Sequence, residues 1–180
     1  MQNLSQWLFN MAGWKAVITV EEPKKSVICV APHTSNWDFL IGKFFYWSLK
    51  RKSGFLMKKS WFFFPLGILL KSMDGIPVDR SKRTSVTDQV AEEFNKRETF
   101  HVAITPEGTR KLAKKWKMGF YHIALKANVP IQLAYIDYAK KEMGITGIFY
   151  PTGDEKADLA QIQAFYKGVT ARHPEKFNIR

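Results

Sequence analysis

Short apolar runs alternate with amphipathic stretches along this chain, and that alternation limits the fold more than any other feature. Val27-Ile28-Cys29-Val30-Ala31 and Phe100-His101-Val102-Ala103-Ile104 have strand length and few polar residues. Between such runs lie segments with apolar residues at helical spacing, for example Val86, Val90 and Phe94. The pattern specifies an α/β fold, a single mixed β-sheet flanked by helices. Leu4, Trp7, Leu8 and Met11 fall at i, i+3, i+4 and i+7, which predicts a short amphipathic N-terminal helix. Strands are expected near residues 27–31, 55–57, 76–78, 100–104, 131–136 and 145–150. Helices are expected over about 36–49, 61–72, 84–97, 118–127 and 159–170. No repeat or linker interrupts the pattern, so one domain over 1–180 is expected. It divides into a lead-in (1–24), a motif-bearing core (25–140) and a closing strand and helix (141–180).

Lysine and arginine outnumber aspartate and glutamate by 12, a surplus that calls for an anionic partner. The lone cysteine, Cys29, rules out an intrachain disulfide or a cysteine-built metal cluster and reads as a buried strand residue. The first residues lack a basic n-region and a long apolar h-region, so no signal peptide is expected. No run reaches the roughly 18 apolar residues of a spanning helix. The best, from Trp61 to Leu70, is interrupted by Pro65 and Gly67.

Charge and aromatics are concentrated in one stretch. Between Asp38 and Asp74 there is no acidic residue, while Lys43, Lys50, Arg51, Lys52, Lys58, Lys59 and Lys71 all occur there. Ten aromatic residues are interleaved with them, including Trp61, Phe62, Phe63 and Phe64. Rings that enter an acyl boundary beside ammonium groups that meet phosphates suit a membrane surface. Three consecutive phenylalanines cannot all point inward from one helix.

Three segments carry chemistry. His33-Thr34-Ser35-Asn36-Trp37-Asp38 follows a predicted buried strand, where α/β folds present side chains to ligands. Asn36 or Ser35 can cap the next helix, which places Asp38 in its first turn. The loop can then fold His33 back onto Asp38, which would accept the Nδ1 proton and leave Nε2 as a general base. The bland alternative is a surface histidine beside a capping aspartate. Thr105-Pro106-Glu107-Gly108-Thr109-Arg110 also follows a strand, with Gly108 permitting a tight turn and Arg110 able to grip a phosphate, or else forming an ordinary polar turn. Gly75-Ile76-Pro77-Val78-Asp79-Arg80 ends in an Asp-Arg pair that is either an ion pair or a phosphate contact.

In order and spacing these segments resemble the glycerolipid acyltransferases of the lysophosphatidate (1-acylglycerol-3-phosphate) acyltransferase family. His33 to Asp38 matches that family's H-x4-D block, Gly75 to Arg80 its second block, and Glu107-Gly108-Thr109-Arg110 its E-G-T-R block. Val129-Pro130-Ile131 resembles its V-P-I segment, so the likeness spans about residues 27–137. Pro32 stands where the family often has asparagine, and Leu133 replaces a proline usual in the fourth block. The resemblance implies His33 as general base and Asp38 as its orienting partner. Arg80, Gly108, Thr109 and Arg110 would hold the acceptor's phosphate, with Glu107 ordering their loop. It implies acyl-CoA or acyl carrier protein as donor and a lysophospholipid as acceptor, with no cofactor and no metal. The enzyme would sit peripherally on the cytoplasmic face of a membrane, on anionic lipid, and no nucleic acid is expected.

A lyso-aminolipid acceptor would use the same base with less need of the arginines. A non-catalytic basic module for anionic membrane or nucleic acid would also suit the charge and aromatics, but leaves the four ordered blocks unexplained. His101 and His122 read as structural histidines, and His173 lies in a polar tail. Arg110, Lys111, Lys114, Lys115 and Lys117 form a basic cluster after the third block, either a solvated loop or an attractor of anions.

Overall fold

The computed structural model describes residues 4–79, 81 and 85–179. The chain runs α1 (Leu4–Met11), β1 (Lys15–Ile18), β2 (Lys25–Ala31), α2 (Asn36–Ser48), β3 (Gly54–Lys58), α3 (Leu66–Ser72) and β4 (Gly75–Val78). It continues α4 (Val86–Asn95), β5 (Phe100–Ile104), α5 (Gly119–Ala127), β6 (Ile131–Asp137), β7 (Glu142–Phe149) and α6 (Glu155–Phe165). Among the described residues, seven strands form one sheet in the order β1-β7-β6-β2-β5-β3-β4. Neighbours are parallel except β6 and β7, which are antiparallel, so the sheet is mixed as expected.

β2 lies at the centre because its sequence has no wet face. Successive strand residues point to opposite sides of a sheet. Val27, Cys29 and Ala31 therefore enter one core with Val90 and Phe94 of α4, Phe120 and Ile123 of α5, and Ile162 of α6. Ile28 and Val30 enter a second core with Phe9 of α1 and Phe45 and Tyr46 of α2. Each such side chain contributes about 1.5–3 kcal/mol on burial. Cys29 is fully buried, and burial pushes its thiol well above the ordinary range, as an inert strand residue requires.

β2, β5 and β6 are parallel neighbours, so their carboxyl ends emerge on one rim of the sheet. That rim receives the loops after Ala31, Ile104 and Asp137. β4 ends on the same rim at the sheet's edge. Arg80, just beyond it, lies outside the described residues.

The structure departs from the sequence expectations in four places. β1 had no counterpart there, because four residues with a lysine at their head carry no periodic signal. α3 starts at Leu66 rather than Trp61: Lys59–Trp61 forms a separate 3-10 turn, and Pro65 occupies the position before the helix. Phe63 and Phe64 then lie in a connection and are 57% and 83% exposed. α6 spans Glu155–Phe165 rather than 159–170, because Asp154 caps it by accepting from the Ala157 amide at 3.0 Å. Lys43, counted with the solvent-facing lysines, is buried. Its Nζ donates to the Met73 and Ser53 carbonyls at 2.8 and 3.1 Å and lies 3.6 Å from Asp74. Burial outweighs Asp74 and holds the Lys43 ammonium below its ordinary range.

Candidate active site

α2 begins where the backbone amides after β2 find side-chain acceptors. Ser35 is the N-cap, its hydroxyl accepting from the Trp37 amide at 3.2 Å, while Asp38 reaches back to accept from the Ser35 amide at 2.8 Å. This reciprocal box satisfies orphan amides of the first turn and makes Asp38 a fixed point. Asp38 Oδ2 also accepts from the Thr34 amide at 2.7 Å, which folds the loop back over the helix start. His33 Nδ1 comes to 3.4 Å from the same oxygen. The Tyr138 hydroxyl, from just beyond β6, donates to Asp38 Oδ1 at 2.5 Å.

Asp38 is 3% exposed, and burial alone would raise its carboxyl. The hydrogen bonds from His33, Tyr138 and the Ser35 and Thr34 amides outweigh that, and the acid stays below its ordinary range. A carboxylate is therefore held against Nδ1. No described group bonds His33 Nε2, and the ring retains 18% of its surface. An imidazole with one nitrogen fixed and the other open is the arrangement of a general base.

The loop after β5 lies directly alongside. Glu107 is 2% exposed, and its Oε1 accepts from the His33 amide at 2.8 Å, so it braces the histidine loop from beneath. Burial, the largest influence, raises the Glu107 carboxyl, and its Oε2 has no hydrogen-bond partner among the described residues. Gly108 adopts φ +63°, and an added Cβ would lie 2.7 Å from the Lys117 side chain. Thr109 and Arg110 are exposed, as are Lys111, Lys114, Lys115 and Lys117, and none of these cations has an ion pair among the described residues. The Thr109 hydroxyl accepts from the Lys111 amide at 3.2 Å.

The Acyltransferase family matches residues 15–136, two thirds of the chain, including the His33–Asp38 and Glu107–Arg110 segments. The chain belongs to the acyltransferase family. Its fold is similar to the crystal structure of the 1-acyl-sn-glycerophosphate (LPA) acyltransferase, PlsC, from Thermotoga maritima. That likeness has a TM-score of 0.62 at 17% identity and covers 91% of this chain and 74% of that one. At this identity the likeness is one of fold. No curated protein sequence matches the chain.

The acyltransferase thus brings His33, Asp38, Glu107, Gly108, Thr109 and Arg110 together on the rim shared by β2 and β5. Two residues that no motif marked also belong there. Tyr138 bonds Asp38, and Arg172 lies over the Trp37 and Tyr138 rings, 5.5 and 5.9 Å from their centroids. The tail after α6 brings Arg172 there, with the His173 amide donating to Thr34 Oγ1 at 3.2 Å. Only the tyrosine's position after an apolar strand hinted at a rim location.

The other histidines lie elsewhere. His101, at the opposite end of β5, bonds Ser26 Oγ through Nδ1 at 2.9 Å and has Glu22 3.8 Å from Nε2. Burial and then the Arg51 charge lower its pKa, as suits a structural imidazole. His122 is half exposed on α5, 3.7 Å from Glu155. A groove of about 850 Å³ opens at that opposite end between Lys24, Arg51, Lys71 and Arg97. It offers no open base beside an ionised acid, so chemistry rather than cavity size assigns the site.

Proposed function

We propose that this acyltransferase transfers a fatty acyl group from acyl-CoA or acyl carrier protein to the free hydroxyl of a lysophospholipid. The acceptor that best suits the site is 1-acyl-glycerol-3-phosphate, with phosphatidate as product. The single observation carrying the reading is the His33 ring with Nδ1 against an ionised Asp38 and Nε2 open. Nε2 takes the proton of the acceptor hydroxyl as its oxygen attacks the thioester carbonyl. The tetrahedral intermediate collapses with loss of the C–S bond, and the thiolate leaves with the proton from His33. No acyl-enzyme is needed, because the acceptor oxygen is itself the nucleophile.

Arg110 and the Gly108-Thr109 backbone suit the acceptor's phosphate, and the same role is proposed for Arg80. An arginine fork matches phosphate geometry, and the lysines of 111–117 raise the local concentration of an anionic acceptor. Glu107 serves by holding the His33 loop rather than by touching the substrate.

No helix among the described residues is long and apolar enough to cross a membrane. Peripheral attachment to a membrane, proposed at its cytoplasmic face, is supported by exposed apolar residues on two segments. Leu4, Trp7 and Met11 of α1 are exposed, as are Trp61, Phe63, Phe64, Ile68 and Leu69 around α3. Ser5 of α1, Trp47 of α2 and Lys71 of α3 line one groove together with Lys50 and Lys52. Rings beside lysines on a surface of this kind suit anionic lipid.

The test is thiol release from acyl-CoA and from acyl carrier protein with lysophosphatidate as acceptor, for wild type and His33→Ala. Acceptor-dependent release that falls by ~10²-fold or more in the variant is the expected result. Equal rates in the two proteins would remove His33 from the mechanism. A turnover found only with a non-phosphate lyso-lipid would change the acceptor and leave the base in place.

A further inference from the structure

Asp38 is tied by its two oxygens in different ways. Oδ2 receives the Thr34 and Ser35 amides and faces His33, all local contacts within the loop. Among the described residues Oδ1 receives only the Tyr138 hydroxyl, from a residue 100 positions away in the chain. That bond adds a long-range hold to the two amides in opposing rotation of the carboxylate about its last torsion, which is soft without such bonds. A rotated carboxylate would move Oδ2 away from His33 Nδ1 and free the imidazole to turn.

Tyr138 is itself held on several sides. Its amide donates to the Thr170 carbonyl at 2.9 Å, and its ring stands edge-on against Trp14 at 5.1 Å. The Arg172 guanidinium lies over the ring, 5.9 Å from its centroid. The direction of the bond to Asp38 is forced, because an ionised carboxylate has no donor and the phenol's single proton must point at it. Burial and then the hydrogen bond to Asp38 push the phenol above its ordinary range, so it stays a donor. The tail carrying Arg172 is pinned at both ends, by His173 to Thr34 at 3.2 Å and by the Trp116 indole donating to the Asn178 carbonyl at 2.9 Å.

We infer that Tyr138 and Arg172 are positioning residues for the acyl-transfer base: Tyr138 holds Asp38 against His33, and Arg172 packs on the Tyr138 and Trp37 rings, so that the carboxyl-terminal tail completes the site. The inference rests on His33 being the base. Both residues lie beyond the stretch matched by the family, residues 15–136.

The experiment combines steady-state kinetics with imidazole nitrogen NMR on the resting enzyme, using a long-chain acyl-CoA and lysophosphatidate. The proteins are wild type, His33→Ala, Tyr138→Phe, Arg172→Gln and Arg172→Lys. Tyr138→Phe removes one hydroxyl and keeps the ring packing. It is expected to lower kcat by roughly tenfold with KM within about twofold, and the His33 Nδ1–H signal of wild type should broaden or give way to a tautomer mixture. Arg172→Gln is expected to lower kcat severalfold, and Arg172→Lys or added guanidinium to recover part of it.

An unchanged kcat and unchanged His33 spectrum in Tyr138→Phe would overturn the inference, provided His33→Ala is inactive. A raised KM with unchanged kcat in Arg172→Gln would overturn it for Arg172, which would then be a substrate-anion contact. Activity persisting in His33→Ala would instead sink the base assignment itself. The NMR readout needs no substrate, so an incorrect acceptor cannot conceal the result.

Discussion

β5 ends in two polar sites, and they make the same residue type do opposite things. At its amino end His101 is enclosed: Ser26 holds Nδ1, Glu22 faces Nε2, and burial keeps the ring neutral. At its carboxyl end Glu107 supports the loop of His33, whose Nδ1 faces a carboxylate and whose Nε2 is open. The contrast lies in what the partner is and how many nitrogens are engaged. A hydroxyl on one nitrogen and burial around the ring give a structural imidazole. An ionised carboxylate on one nitrogen and nothing on the other give a base. The parallel sheet assigns these fates, since its carboxyl rim gathers loops from β2, β5 and β6, whereas His101 sits within the strand itself at the amino end.

The largest expected effect tests that contrast directly. His33→Ala should lower kcat/KM by ~10²–10⁴-fold and leave the melting temperature nearly unchanged. His101→Ala should keep activity within about threefold yet lose about 1–3 kcal/mol of stability in urea, because buried Ser26 loses a partner. If the two variants exchanged these outcomes, the assignment of the site would be reversed.

Asp38→Asn should come next, at about 10²-fold in kcat. Every group facing the Asp38 carboxylate donates: two amides, a hydroxyl and the His33 Nδ1 proton. An asparagine offers one oxygen to them and opposes the rest with its own donors. Kinetics and tautomer spectra of His33 would both report the change. Retained activity would mean that the carboxylate is only a helix cap.

Which parts of this site a sequence reader can see follows from chain distance. The capping box and the His33–Asp38 contact are visible because they close within six residues, where hydrogen-bonding rules leave few choices. The approach of the 105–110 loop is visible because two buried apolar runs both end in polar turns. Tyr138 and Arg172 are invisible, since their bonds link the ends of β6 and the tail to α2, and no local periodicity encodes that meeting. The same limit explains Lys43. Its charge looked like surface, but its burial is arranged by carbonyls of residues 53 and 73. The exposed phenylalanines show the converse, because three in a row exceed what one helix face can hide. The extent of α3 was misread, since Pro65 separates the aromatic run from the helix.

Gly108→Ala gives a smaller expected effect and sharpens the carboxyl-end side of the comparison. With φ at +63°, an L side chain is strained, and its Cβ would meet Lys117. A loss of about 1 kcal/mol in stability is expected, with severalfold weaker use of lysophosphatidate as the loop shifts. Denaturation and KM for the acceptor measure the two parts separately. A stability loss with unchanged KM would detach this turn from phosphate binding.

The smallest effect concerns the other end of β5 and depends on pH. The folded state holds the His101 pKa below its usual 6.5, through burial and then Arg51, with Glu22 and Ser26 the other polar groups facing the ring. The unfolded chain therefore binds a proton that the folded one refuses. Such a group contributes stability fully above pH 6.5, and that contribution is lost as pH falls through this value toward the folded-state pKa. Melting temperatures of wild type and His101→Gln measured between pH 7.5 and pH 5 should diverge, with wild type falling more steeply by roughly a few degrees. The difference between the two curves cancels the carboxylates that titrate lower. Parallel curves would mean that His101 is protonated as easily as a solvated imidazole. Burial would then not be what separates the two histidines, and the open Nε2 of His33 beside its carboxylate would have to account for the whole contrast.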